Sequence, residues 1–257
     1  MVLSCLCFGQ DDPPPDRQSL PTITAGGPRI IPPPADYKFP DGETFVFGAE
    51  WHMFNAGTAR VTLDLVNGRQ HVTAVGSSAG MVNTFYKVHD RFEALFDPHT
   101  FCSMHVDKHT EEGAHSRQTE VNFDYQRHKS VLDEKNLKTG ELKHAENEIP
   151  ECVTDMISGF YYLASLSLQP GRENSFEIND GGKTTEILAR VEGREQVKVP
   201  AGTFQTIRVK AEPVSGALKG KGTIWAWYTD DGHHMPVQMR SKLTFGTLMF
   251  RLQLVEK

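Results

Sequence analysis

The sequence predicts an all-β domain, mainly antiparallel, in which a curled sheet or open β-barrel carries one short helix packed against it. From residue 43 onward, apolar residues recur at every second position, which is the period of a β-strand. The predicted strands are short and are joined by turns that carry glycine, as in antiparallel sheets. No repeat of 20–50 residues occurs, which excludes a solenoid or a propeller.

Apolar alternation also predicts the individual strands and one hairpin. The dipeptide Asn67-Gly68 is typical of a tight hairpin turn, because both positions tolerate a positive φ. The strands are predicted at 43–53, 58–66, 70–76, 91–97, 101–107, 118–125, 128–134, 143–147, 174–178, 185–192, 195–199, 204–212, 223–229, 237–242 and 247–255.

One segment has helical spacing instead. Apolar residues between Val153 and Ser165 recur three and four positions apart, Thr154 is a candidate N-cap, and Pro170-Gly171 prevents continuation. We expect this helix to pack into the concave side of the sheet. Residues 77–88 fit either a short helix or a strand.

Three regions follow from composition along the chain. Residues 1–10, MVLSCLCFGQ, resemble the remnant of an export signal, with cleavage either before Cys5, which would then carry a lipid anchor, or after Gly9. The alternative is an ordinary cytosolic terminus that is apolar. Residues 11–42 are rich in proline and are predicted to be a flexible linker. Residues 43–257 form the single β-rich domain.

Charge and hydropathy limit the partners. Lys and Arg number 27 against 33 Asp and Glu, giving a formal net charge of −6, and no basic patch indicates nucleic acid. No apolar run reaches the roughly 18 residues of a transmembrane helix, so no transmembrane span is predicted.

Cys102 and Cys152 are the cysteines that remain if the leader is removed. In an oxidising compartment they are predicted to form a disulfide, whereas in the cytosol they would be buried thiols. Two cysteines without a C-x-x-C spacing do not indicate zinc.

Two histidine-containing segments are candidate metal sites with simpler explanations. Residues 230–234, DDGHH, combine carboxylates and imidazoles, but adjacent strand residues face opposite ways and Asp-Asp-Gly is ordinary turn sequence. His105, Asp107 and His109 would share one strand face, which we interpret as a polar solvent face. We therefore predict no metal and no cofactor.

No motif of nucleophilic catalysis is present: the chain lacks Gly-x-Ser-x-Gly and His-Glu-x-x-His, so no catalytic residue is predicted. Asp90 and Arg91 are expected to form a structural pair, or to orient a ligand carboxylate. The aromatic side chains are explained first by core packing and second by an apolar groove. The candidate ligand-binding residues are Trp51, Asp90, Arg91, Phe160, Tyr161, Trp225 and Trp227.

Four segments resemble a family of exported bacterial proteins known only as a domain of unknown function, family 3108. They are DRFEALFDP (90–98), PECVTDMISGFYYL (150–163), VPAGTFQTIRVK (199–210) and WYTDDGHHMPVQMRSKLTFGTLMFRL (227–252). The resemblance implies an export signal, a β-rich fold around a short helix, and no established activity.

Together these observations favour a non-catalytic protein of the periplasm or cell envelope that binds an apolar or amphipathic, lipid-like ligand in its curved sheet. Two alternatives stay open. An envelope hydrolase acting on cell-wall or lipid esters or glycans requires Asp90, Asp155, a histidine or Tyr161 to converge in one cleft. A scaffold or assembly factor would show an exposed apolar patch.

Overall fold

A computed structural model describes residues 27–51, 54–215, 219–220, 222–243 and 246–257. The predicted export-signal remnant, Cys5, the first part of the predicted linker and the end of the first predicted strand at 52–53 lie outside the described residues.

The described residues form one large sheet of fifteen strands, ordered β8-β7-β6-β5-β4-β3-β2-β1-β15-β14-β13-β12-β11-β10-β9. All pairs are antiparallel except β9–β10, which is parallel. The elements are β1 (Glu43–Trp51), β2 (Phe54–Val66), β3 (Arg69–Ser78), α1 (Gly80–Phe85), β4 (Val88–Phe96), β5 (Ser103–Glu112), β6 (His115–Asp124), β7 (Lys129–Asn136), β8 (Leu142–Glu148), β9 (Thr154–Asp155), α2 (Ser158–Ser165), β10 (Glu173–Asp180), β11 (Lys183–Val199), β12 (Gly202–Pro213), β13 (Thr223–Thr229), β14 (Pro236–Leu243) and β15 (Gly246–Glu256).

The sheet is curled but not closed, because its edge strands β8 and β9 are not paired with each other in the described residues. This confirms the predicted fold class. The curl brings distant strands together: Lys108 on β5 forms an ion pair with Asp180 at the end of β10. The side chains that point to the inside of this curl define the concave face.

The antiparallel connections alternate between two ends of the curled sheet. One end, called the rim, carries the connections β1–β2, β3–β4, β5–β6, β7–β8 and β10–β11, together with the described residues between β12 and β13 and the adjoining ends of β14 and β15. The other, called the helix end, carries the disulfide and α2. The rim and the helix end differ in what fills the concave face.

At the helix end, α2 fills the concave face. Tyr162 is fully buried, with its ring centroid 5.5 Å from that of Phe101 and 4.8 Å from that of Phe176. Residues within the predicted linker also lie here: the ring of Phe39 is 5.4 Å from that of Phe101, and Ile31 N donates to the Tyr162 hydroxyl at 3.2 Å. The core therefore includes part of the segment that precedes β1.

The helix begins later than the sequence predicts. Thr154 and Asp155 pair with Ile178 and Asn179 of β10 as the short strand β9, so α2 spans only Ser158–Ser165. The prediction of Thr154 as N-cap was wrong, because the Asp155 carboxylate accepts hydrogen bonds from the backbone N–H of residues 157 and 158. In the ambiguous segment 77–88, the structure shows α1.

A cross-link at the helix end, called the latch, joins β5 to the segment before α2. The predicted disulfide Cys102–Cys152 is confirmed, with a Cα–Cα distance of 5.1 Å. Beside it, Ser103 N donates to Val153 O at 2.8 Å, and the Tyr125 hydroxyl lies 2.7 Å from Ser103 O and 3.1 Å from Val153 O. The latch holds the two flanks of the sheet together where the ladder is not continuous.

Candidate functional site

The concave face towards the rim carries an apolar surface that is only half-buried. Cross-strand neighbours share a face of a sheet, so residues that align with buried Ala189 or Val209 must also point inward. Those inward residues lose their cover beyond α2. This apolar floor consists of Ala211, Ile224, Met239, Leu248 and Phe250.

The opposite flank of the concave face is charged. Alternation along β5, β6 and β7 places Lys108, Arg117 and Glu134 on the same face as core residues of those strands. Lys108 pairs with Asp180, and its Nζ lies 5.7 Å from the centroid of the Phe92 ring. Arg117 lies 3.7 Å from Glu134. This group, called the polar wall, faces the concavity.

Asp90 lies on the concave face near the polar wall and is only 8% exposed. Its carboxylate accepts a hydrogen bond from Glu111 N at 3.0 Å. Burial, followed by the charge of Glu112, raises the pKa of Asp90 to about 6. The expected pairing with Arg91 is wrong, because Arg91 points to the outer face and forms its ion pair with Glu93.

This raised pKa predicts a pH-dependent gain of stability for Asp90→Asn. Folding favours the protonated carboxyl, so its contribution is complete below about pH 4 and is lost as pH rises through about 6. At neutral pH the variant should be more stable by about 1–2 kcal/mol, since the amide keeps an oxygen for Glu111 N. Urea unfolding across pH measures this. Asp36→Asn, at an exposed site, is the control; equal pH profiles for wild type and Asp90→Asn would contradict the prediction.

Two predicted site residues lie on α2 at the helix end. Tyr161 is buried, and burial raises the pKa of its hydroxyl. Phe160 is half-buried, and its carbonyl accepts a hydrogen bond from the Tyr228 hydroxyl at 3.0 Å. A pocket nearby runs between α2 and the concave face of β10–β12. It is lined by Ile31, Leu163, Leu166, Leu168, Ala189 and Val191, among others.

The remaining predicted site residues lie elsewhere. Trp225 and Trp227 share the outer face of β13, whereas buried Tyr228 lies on the opposite face. The Arg240 guanidinium lies 4.2 Å from the ring centroid of Trp225 and 5.8 Å from that of Trp227. Trp51 is 40% exposed at the rim, where its cross-strand partner is Leu248 of the apolar floor. The structure therefore brings Phe160 and Tyr161 together and leaves the other five candidates apart from them.

The residues proposed for the hydrolase alternative do not converge. Asp90 is bonded to Glu111 near the rim end of β5, whereas Asp155 is bonded to Ser103 at the other end of that strand. Ser103 and Glu111 are eight positions apart on this strand, which corresponds to roughly 26 Å of extended backbone. Tyr161 is on the helix-end side.

The histidine segments have structural partners. Asp231 accepts hydrogen bonds from the backbone N–H groups of His233 and His234 and from Thr229 Oγ1. Burial by itself would raise the pKa of Asp231, but these hydrogen bonds outweigh it and the pKa is lowered. Across the described ranges, no group of three or more histidine, cysteine or acidic side chains is arranged to hold a metal ion.

The apolar floor and the polar wall were missed in the sequence. Alternation in β13–β15 does place Ile224, Leu248 and Phe250 on one face. Alternation does not show how far α2 extends along that face. The extent of α2 decides which apolar residues stay half-buried.

A comparison with protein families agrees with the resemblance that the four sequence segments carry. The model of "Protein of unknown function (DUF3108)" matches residues 46–253. The chain belongs to this family. The match begins within β1 and ends within β15, so it covers nearly all of the sheet, while the family description assigns no activity.

Two solved structures are similar to the chain. The first is a beta-barrel-like protein of domain of unknown function DUF1849 from Brucella abortus, with a TM-score of 0.59 and 7% identity over 89% of this chain and 98% of that one. The second has a YmcC-like fold and comes from Bacteroides fragilis, with a TM-score of 0.38 and 11% identity over 86% and 98%. The Brucella likeness shows the fold alone. No curated protein matches the chain.

In the described part of the chain, no helix is long and apolar enough to cross a bilayer.

Proposed function

We propose that this protein is a non-catalytic component of the cell envelope that binds an amphipathic, lipid-like ligand on the concave face of its sheet. The observation that carries the proposal is the apolar floor: five inward-facing side chains that a fully packed domain would bury stay half-buried beyond α2. Ligand sites are concave and mostly apolar, with a few polar groups that fix orientation.

The polar wall supports an amphipathic ligand over a purely apolar one. A ligand lying on the floor would present one end to Lys108 and Arg117, whose side chains are 19% and 32% exposed. Cations on a partly desolvated surface bind carboxylate or phosphate groups through charge-assisted hydrogen bonds. The two surfaces together fit a molecule with an acyl chain and an anionic head.

The proposed envelope address is supported by the sequence of residues 1–10, which resembles part of an export signal, and by the disulfide. Structural disulfides persist in oxidising compartments, whereas the cytosol keeps thiols reduced. Cys5 is the proposed anchor position if the leader is cut before it.

Lipid extraction followed by mass spectrometry tests the ligand directly. We expect protein purified from its native cells under mild conditions to carry a stoichiometric amphipathic molecule. A protein that yields none, and that also fails to bind any fluorescent fatty acid in solution, would overturn the proposal.

A charge placed on the floor should remove binding. Leu248→Lys puts an ammonium group on the apolar surface, and desolvating it against an acyl chain is costly, so affinity for a fluorescent fatty acid should fall roughly tenfold or more. Leu142→Lys is the matched control, because Leu142 is 75% exposed on β8 away from the floor. Fluorescence titration measures both, and equal affinities for the two variants would count against the floor as the site.

A further inference from the structure

The aromatic side chains exposed at the surface gather at one end of the molecule. Among the described residues, the exposed aromatics are Trp51 (40%), Phe54 (61%), Phe85 (82%) and Tyr86 (42%), and all four lie at the rim. The exposed large apolar residues of the helix end, such as Leu65 and Leu254, are aliphatic. The rim therefore differs in kind from the rest of the surface.

Local structure holds these aromatic side chains on neighbouring elements. Trp51 and Phe54 are cross-strand partners in the β1–β2 ladder. The α1 helix follows directly on β3 and is tied to β2 by the hydrogen bond from Ala79 N to Ala56 O, at 2.9 Å. Tyr86 lies against Gly113, where an added Cβ would be 2.8 Å from the ring. The four side chains are thus presented by two neighbouring connections of the sheet, β1–β2 and β3–β4.

The charge of the rim complements an anionic surface, although the whole chain carries −6. Its exposed lysines are Lys87, Lys138, Lys183, Lys219 and Lys242, and its exposed carboxylates are Glu112 and Glu141. The helix end is mixed in charge, because its exposed carboxylates, such as Asp36 and Asp41, are matched by exposed cations such as Arg29, Lys38 and Lys257. An anionic plane would therefore attract the rim more strongly than the helix end.

We propose that the rim docks on the surface of an anionic lipid bilayer. Aromatic rings partition to the membrane–water interface, and lysines near the surface are attracted to anionic headgroups. A protein partner of ordinary composition would explain the exposed aromatic residues at the rim but not the exposed lysines around them. The bilayer accounts for both.

Docking at the rim places the apolar floor next to the lipid, because Leu248 is the cross-strand partner of Trp51. A ligand leaving the bilayer would then reach the floor without crossing water. This route for the ligand rests on the proposed function, but the docking itself does not require a ligand.

Vesicle flotation of the wild-type protein is the first test. We expect association with vesicles of equal parts phosphatidylethanolamine and phosphatidylglycerol, weaker association with phosphatidylcholine alone, and loss at high salt. Each lysine that loses its headgroup contact should weaken binding about fivefold. Lipids brominated on the acyl chain should quench Trp51, read as the difference between wild type and Trp51→Phe.

A pair of double variants tests the location. Phe54→Ser with Phe85→Ser removes two exposed rings at the rim and should reduce vesicle association roughly tenfold or more. Leu65→Ser with Leu254→Ser removes two exposed apolar side chains at the helix end, 56% and 44% exposed, and should leave association unchanged.

Several results would overturn the proposal. They are no association with either vesicle, an equal effect of the two double variants, or a dimer in light scattering that the rim variant converts to monomer, which would assign the rim to a second copy. Binding of fluorescent fatty acid without vesicles separates the two proposals, because the rim variant should keep it.

Discussion

Replacing Cys102 and Cys152 with serine should lower the free energy of unfolding by about 4 kcal/mol, since the bond closes a loop with a sequence separation of 50. The loss arises mainly because the unfolded chain gains conformational freedom. Urea unfolding of wild type with and without reductant measures the same quantity, and each single variant should match the double one.

Tyr125→Phe is the control for the rest of the latch. It removes the hydroxyl that bridges Ser103 O and Val153 O but keeps the disulfide, so its effect should be smaller. Equal urea midpoints for oxidised and reduced wild type would show that the latch does not depend on the bond.

Phe101→Ala should lower the free energy of unfolding by about 3–5 kcal/mol. Phe101 is fully buried, and its ring centroid lies 5.3 Å from that of Phe96, 5.4 Å from Phe39 and 5.5 Å from Tyr162. Its φ is +58°. Alanine keeps that backbone strain, so the loss reports the missing ring.

The same substitution at Phe85 gives a matched comparison, because Phe85 is 82% exposed. Phe85→Ala should change stability by less than about 0.5 kcal/mol. Thermal and urea unfolding of both variants measure the difference. A small loss at Phe101 would mean that the segment before β1 and the aromatic residues beneath it repack.

Much of the sheet could be predicted because alternation is a local property. Strand β13 has the predicted bounds, Thr223–Thr229, and Asn67-Gly68 adopts positive φ values of 51° and 74°. The strands predicted at 185–192 and 195–199 are one strand, β11. A bulge between Val191 and Gly193 takes up the extra residue, so Gly193 does not form a turn.

Tertiary pairing explains the errors around α2. Helical spacing from Val153 is real, but β10 offers a ladder partner to Thr154 and Asp155, and the disulfide fixes the preceding residue. A sequence pattern contains no information about which distant strand passes close by. The error about Asp90 and Arg91 has a different cause: adjacent residues of a strand face opposite sides of the sheet, so alternation along β4 already argued against their pairing.

The candidate site was less predictable than the sheet. Sequence reasoning selected aromatic residues, and the structure divides them among α2, the outer face and the rim. Lys108 and Asp180 are 72 positions apart, and only the curl of the sheet brings them together. Their proximity could not be predicted from spacing.

The pairing of β1 with β15 has a consequence for how the chain folds. The first strand of the domain lies at the centre of the sheet beside the last, with Thr44 opposite Glu256. Apart from β9, each half of the molecule is a series of local hairpins, which form early, but their junction must wait for the final residues of the chain to be synthesised. Until then both halves present unpaired strand edges, which are prone to aggregation. A chaperone that holds the nascent polypeptide until its last strand emerges would therefore raise the yield of native protein.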